Sequence, residues 1–155
     1  MGTLQHVQHQ ISAVNDLIRI NNDRVTGYKR ALEDISQPQC QELFQKFLQQ
    51  SQHHIAELQE LIHLFGGEAA SGTTMSGKFY RTWLDLKTKF GGNGILSVLD
   101  NCEHGEEVTE NAYREAIDDK ELIWQDKRVE TLLDNHLNAL IAAHAQIREF
   151  RQHKV

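Results

Sequence analysis

The residues Leu4, Val7, Ile11, Val14, Ile18, Asn21, Val25, Tyr28, Leu32 and Ile35 follow one another in steps of three and four without a slip. That spacing puts all ten on one face of an α-helix with a seam like that of a coiled coil. At 1.5 Å per residue the helix predicted over 4–35 is roughly 48 Å long. A seam of that length is buried only by other long helices, so the chain is limited to a helical bundle. The helix stops at Ser36-Gln37-Pro38, the only proline in the sequence. Pro38 suits the first turn of a second helix over 38–65, and so short a connection makes that helix antiparallel to the first. Leu43, Phe44, Phe47, Leu48, Ser51, His54, Ile55, Leu58, Leu61, Ile62 and Phe65 line its predicted inner side, and Gly66-Gly67 ends it.

Small residues fill 66–77, after which Phe79, Trp83, Leu86 and Phe90 recur at helical spacing. They predict an extra amphipathic helix over 76–90, with Lys78, Arg81, Lys87 and Lys89 largely off the apolar stripe. A connection this long carries the chain back along the bundle. The third helix, over 93–118, is then parallel to the second, which an up-down-up-down bundle does not permit. A fourth helix over 121–152 follows the turn Asp118-Asp119-Lys120 and buries Leu122, Val129, Leu133, His136, Leu140, His144 and Ile147. The expected architecture is one all-α domain over 1–155.

The net charge of −6 and pI near 5.8 argue against a nucleic-acid surface, which needs a concentrated positive patch. No stretch approaches the roughly 20 apolar residues of a membrane span. Cys40 and Cys102 read as free buried thiols of a reducing compartment, and the N-terminus carries no signal-peptide pattern. The expectation is a soluble, cytoplasmic, untargeted protein.

Within the third helix, Ile95, Leu99, Cys102, Thr109, Tyr113 and Ala116 share a face with Glu106 at its centre. A carboxylate there must be paired, protonated or bound to a cation, because burying it bare costs several kcal/mol or more. With the first hairpin turn near 37, Asn21 falls beside His54. With the second near 120, Glu106 falls close to His136. The four define an expected polar layer at mid-bundle. The halves also echo one another, with Val25-Thr26-Gly27-Tyr28 against Val108-Thr109 to Tyr113, and His54-Ile55-Ala56-Glu57-Leu58 against His136-Leu137-Asn138-Ala139-Leu140. This suggests a pseudo-twofold pair of hairpins.

Gly27-Tyr28, Gly66-Gly67-Glu68 with Ser76-Gly77-Lys78, the run from Arg81 to Lys87, Cys102-Glu103-His104-Gly105-Glu106 with Tyr113, and Ala143-His144 give the chain its family character. On these residues it resembles the ferritin-like superfamily, and within it a bacterial family of uncharacterised four-helix-bundle proteins. The resemblance covers nearly the whole chain and implies a ferritin-like four-helix bundle whose crossover carries the extra helix. Ferritin-like di-iron sites take one Glu from each of two helices and a Glu-x-x-His from each of the others. Glu106, seven residues before Tyr113, matches one single-Glu position. Asn21, seven before Tyr28, stands where the other should be. Leu133 and Ile141 stand three residues before His136 and His144. Glu60-x-x-His63 points to solvent, and His54-x-x-Glu57 has the types in reverse order.

Two functions follow. In the first the protein is non-catalytic, binds no cofactor and acts by association, as a homodimer or with another protein, through an exposed apolar patch near Trp124 or the crossover helix. Glu106 then pairs with a histidine or Asn21 and fixes helix register. In the second an incomplete ferritin-like site holds a single Fe, Mn or Zn through Glu106, His54 and His136, with Glu57. Tyr28, Cys102 and His144 are expected as core residues, and Glu103 as a partly buried ion pair.

Overall fold

The computed structural model describes residues 2–72, 94–119, 121, 122, 124 and 126–153. The helix expected over 76–90 and its basic residues lie outside them. Among the described residues the protein is all-α, with α1 Gly2–Asp34, α2 Pro38–Leu64, α3 Ile95–Asp118 and α4 Lys127–Gln152. Among the described residues no helix is long and apolar enough to cross a membrane.

α1 packs against α2 and α3, and α4 packs against α3 and α2, so α2 and α3 are diagonal neighbours. Directions follow from side-chain contacts. Arg24 reaches Phe47 and Ser51 of α2, whereas Asn21 and Arg24 reach Tyr113 and Glu106 of α3. Both helices therefore run against α1 and parallel to each other, as the long connection requires.

The connection starts back along α1. The α2 C-terminus closes with Gly66 at φ 77°, which lets Gly66 N–H donate to His63 and Gly67 N–H to Ile62. A Cβ on Gly67 would sit 2.8 Å from Ile11 Cδ1, so the backbone crosses α1 at a point where a side chain would crowd it. Asn15 Nδ2 then donates to Glu68 O, Asn15 Oδ1 accepts from Ala70 N–H, and Asn22 Nδ2 donates to Gly72 O. Two asparagines two turns apart thus hold the first residues of the crossover on α1, beside its seam.

α4 begins later than its periodicity indicates. Residues 119–126 form the connection, Asp119 Oδ1 accepts from Glu121 N–H, and Asp126 caps α4 by accepting from Arg128 N–H. Leu122 and Trp124 are buried at the end of the bundle, with the Trp124 indole donating to Ala116 O. Trp124 is therefore a plug rather than the exposed patch expected of it. The exposed large apolar side chains among the described residues are Leu64, Leu96 and Ile141.

Two apolar clusters fill the bundle. One gathers Ile11, Val14, Ile18, Leu58, Ile62 and Leu133, and the other Val25, Phe44, Phe47, Leu99, Cys102 and Ile147. The polar layer lies between them.

Candidate functional site: a buried polar relay

Glu106 sits in the layer as its place on α3 demands, with no exposed surface, but its partner is Arg24. Arg24 Nε donates to Oε1 at 2.6 Å and Nη2 to Oε2 at 3.2 Å, while the Tyr28 hydroxyl donates to Oε1 at 2.6 Å. Arg24 Nη1 donates to Ser51 Oγ and Phe47 O, and the guanidinium lies 5.3 Å from the centre of the Tyr28 ring and 5.8 Å from that of Phe47. Burial works against the Arg24 charge, yet Glu106, together with Tyr28 and Tyr113, more than offsets it and holds the pKa above its ordinary value. Burial first, and Glu106 second, push Tyr28 and Cys102 upward, so both keep their protons.

The expected pairing of Glu106 with a histidine or Asn21 is thus corrected. The cause lies in the second turn: because residues 119–126 are all spent on the connection, α4 shifts along α3. Tyr113, Glu110 and Glu103 now face His136, His144 and Arg148. Tyr113 lies two turns from Glu106, a rise of about 10 Å.

The relay continues from Arg24. Ser51 Oγ donates to Asn21 Oδ1 at 2.9 Å, and Asn21 Nδ2 donates to Leu17 O and to the Tyr113 hydroxyl, both at 2.9 Å. The Tyr113 oxygen accepts from Asn21, so its single proton goes to His136 Nδ1 at 2.8 Å. That assigns the proton of neutral His136 to Nε2, which lies 3.0 Å from Glu57 Oε1 and donates to it. From Arg24 through Ser51, Asn21, Tyr113 and His136 to Glu57 each member donates to the next, and Glu106 accepts from Arg24 at the other end. Glu57 is partly exposed and also faces His53.

Asn21 does not touch His54 through a hydrogen bond. The His54 ring stacks on His136 with centroids 3.8 Å apart, and its Nδ1 is buried with no hydrogen-bond partner among the described residues. Burial, then His136 and Arg24, lower the His54 pKa to about 2. Burial also lowers His136, against the opposing pull of Glu57.

Glu106, His54, His136 and Glu57 thus share the layer but not one point. The three-residue group whose ligand atoms come within 4.8 Å of one another among the described residues is His9, Asp119 and Glu121, at the end of α3. His144 lies at the edge of the core with 13% of its side chain exposed, held between Glu110 Oε2 at 2.7 Å and Glu103 Oε1 at 3.3 Å, and Glu103 also accepts from Arg148. Glu60 and His63 are exposed, as expected.

Arg24 is the member that sequence reasoning missed. Its signal was positional: it lies three residues after Asn21 and four before Tyr28, on the face that carries both. The Tyr pair reveals the pseudo-twofold relation. Tyr28 of α1 bonds Glu106, and Tyr113 of α3 bonds Asn21, each being seven residues after the other's partner. Thr109, three residues after Glu106, takes the place that Arg24 holds after Asn21, and its hydroxyl turns back to Gly105 O.

Residues 9–119 match the model of a family described as a domain of unknown function, DUF2383. The chain belongs to this family. The matched span covers most of α1 and all of α2 and α3 and so includes Arg24, Asn21, Glu106 and Tyr113, but ends before His136. A crystal structure of a conserved hypothetical protein, rv2844, from Mycobacterium tuberculosis is similar, with a TM-score of 0.67 and 12% identity over 90% of this DUF2383 chain and 94% of that one. At that identity the likeness shows the fold. No curated protein matches the sequence.

Proposed function

We propose that the protein is a non-catalytic helical scaffold that acts by association with another protein or a second copy. The observation that carries this reading is the occupation of Glu106 by Arg24. A permanent cation stands on the carboxylate that a ferritin-like centre would need. The relay beyond it does not serve proton transfer either, because arginine does not give up its proton in a protein and the Asn21 amide does not titrate. It transmits orientation and fixes the level at which the four helices meet, as buried polar groups do in other bundles.

The ferritin-like kinship is part of the same proposal, supported by parallel α2 and α3 and by the reciprocal Tyr28 and Tyr113 bonds. The residues present do not fit a ferritin-like di-metal centre. An amide, Asn21, stands at one carboxylate position and Arg24 neutralises the other. The acidic composition and two buried free thiols support a cytoplasmic setting.

A second reading is favoured by the unpaired, buried Nδ1 of His54. A single Fe, Mn or Zn would be held by His54, His136 and Glu57 after the stacked rings turn apart, with Glu106 left to Arg24. Untagged protein decides between the two. Crosslinking in the producing cells is expected to give discrete adducts heavier than the 17.8 kDa chain, with below about a tenth of an equivalent of metal and no thermal shift on adding metal. A monomer carrying near-stoichiometric metal would overturn the proposal.

A further inference from the structure

A groove of about 480 Å³ opens where the last turns of α2 meet the first turns of α4. Its apolar lining is Leu61, Leu64, Phe65, Val129 and Leu132. Leu64 is 76% exposed, against 38% for Leu96 and 40% for Ile141, so the groove holds the most exposed large apolar side chain among the described residues. A single exposed leucine is ordinary, but one that continues an apolar lining between two helices marks a contact surface.

Glu57, Glu60 and Asp126 line the same groove, together with one cation, Arg128. That cation is already spent. Arg128 Nη2 lies 2.8 Å from Asp126 Oδ2 and its Nε bridges both Asp126 oxygens, so the pair is neutral. The remaining charge is that of Glu57 and Glu60, in a chain that is −6 overall. A second copy would bring the same acidic rim and be repelled. The walls are helices whose backbone groups are bonded internally, so the groove offers no sheet edge to an extended strand.

We infer that this groove docks a short basic amphipathic helix of another protein. An apolar side chain of the partner packs between Leu64 and Leu132, and its Lys or Arg side chains face Glu57 and Glu60. This rests on the association reading and names its surface and partner class. The volume falls within the usual range of ligand clefts, roughly 300–1,000 Å³, enough for a few anchoring side chains.

The probe is a short fluorescent helix of Leu and Lys, with leucines at i, i+3, i+4 and i+7, compared with its Leu and Glu counterpart by anisotropy. The Lys helix is expected to bind saturably and the Glu helix to fail. Leu64→Asp should weaken binding at least about tenfold. That variant adds negative charge, so unspecific attraction would instead grow tighter. Glu60→Lys should weaken binding as well, and Leu96→Asp should leave it unchanged. Because Leu64 is exposed, its variant should keep the wild-type thermal midpoint, which is read alongside. Equal or tighter binding by the Leu64→Asp variant, or equal binding of the Glu helix, overturns the inference. If the crosslinked adducts persist in that case, association stands and only its surface is wrong; if they are absent too, the association reading falls.

Discussion

Replacing Arg24 by methionine leaves the Glu106 carboxylate buried beside a tyrosine, and Glu106→Gln leaves the guanidinium without its counter-charge. Each single change is expected to lower stability by about 3–5 kcal/mol in urea unfolding, since one charge stays buried and unpaired. The double variant Arg24→Met/Glu106→Leu should recover most of that loss, because two apolar groups of similar size need no pairing. Additive losses would show that the two residues act separately. Glu106 was legible in the sequence because a carboxylate interrupts an apolar stripe. Arg24 was not, because its stem and head suit a solvent-facing helix position equally well, and only the unanswered charge on α3 calls for it. The contacts that His54, His136 and Glu57 make with one another depend on axial register, which the residue types do not encode.

The helix ends show which signals in the chain are local. Gly66 takes a positive φ to close α2, so Gly66→Ala is expected to cost about 1–2 kcal/mol without altering the fold, measured by thermal unfolding. Asp126→Ala removes the α4 cap and should lower the thermal midpoint, while Asp126→Asn should retain most of it. A silent Asp126→Ala would mean that α4 starts elsewhere. Pro38 and Gly66-Gly67 announce the bounds of α2 in the sequence itself. The start of α4 is hidden because Leu122 lies seven residues before Val129 and continues the helical spacing into a loop. Its burial comes from plugging the end of the bundle, a tertiary cause that periodicity imitates.

At the level of the whole molecule, the stacked His54 and His136 tie stability to pH. Both have folded pKa values lowered chiefly by burial, so the unfolded chain binds their protons more readily. Their contribution is complete above about pH 6.5 and is lost as pH falls below it, each group adding a slope of up to about 1.4 kcal/mol per pH unit. Urea midpoints should therefore drop between pH 7.5 and pH 5, and His54→Phe should flatten the drop; a midpoint that holds or rises on acidification would contradict the stacked pair. The parallel course of α2 and α3 was legible from the length of segment 65–94 alone, since a short link would have forced the ordinary order. That course has a consequence for assembly from the unfolded state. The α1–α2 and α3–α4 hairpins share one covalent link, and each surface between them is as complete when its two halves come from different chains. Refolding at high concentration should thus yield an interlocked dimer in which Arg24 of one chain faces Glu106 of the other. It should return to monomer on dilution only as slowly as the bundle opens.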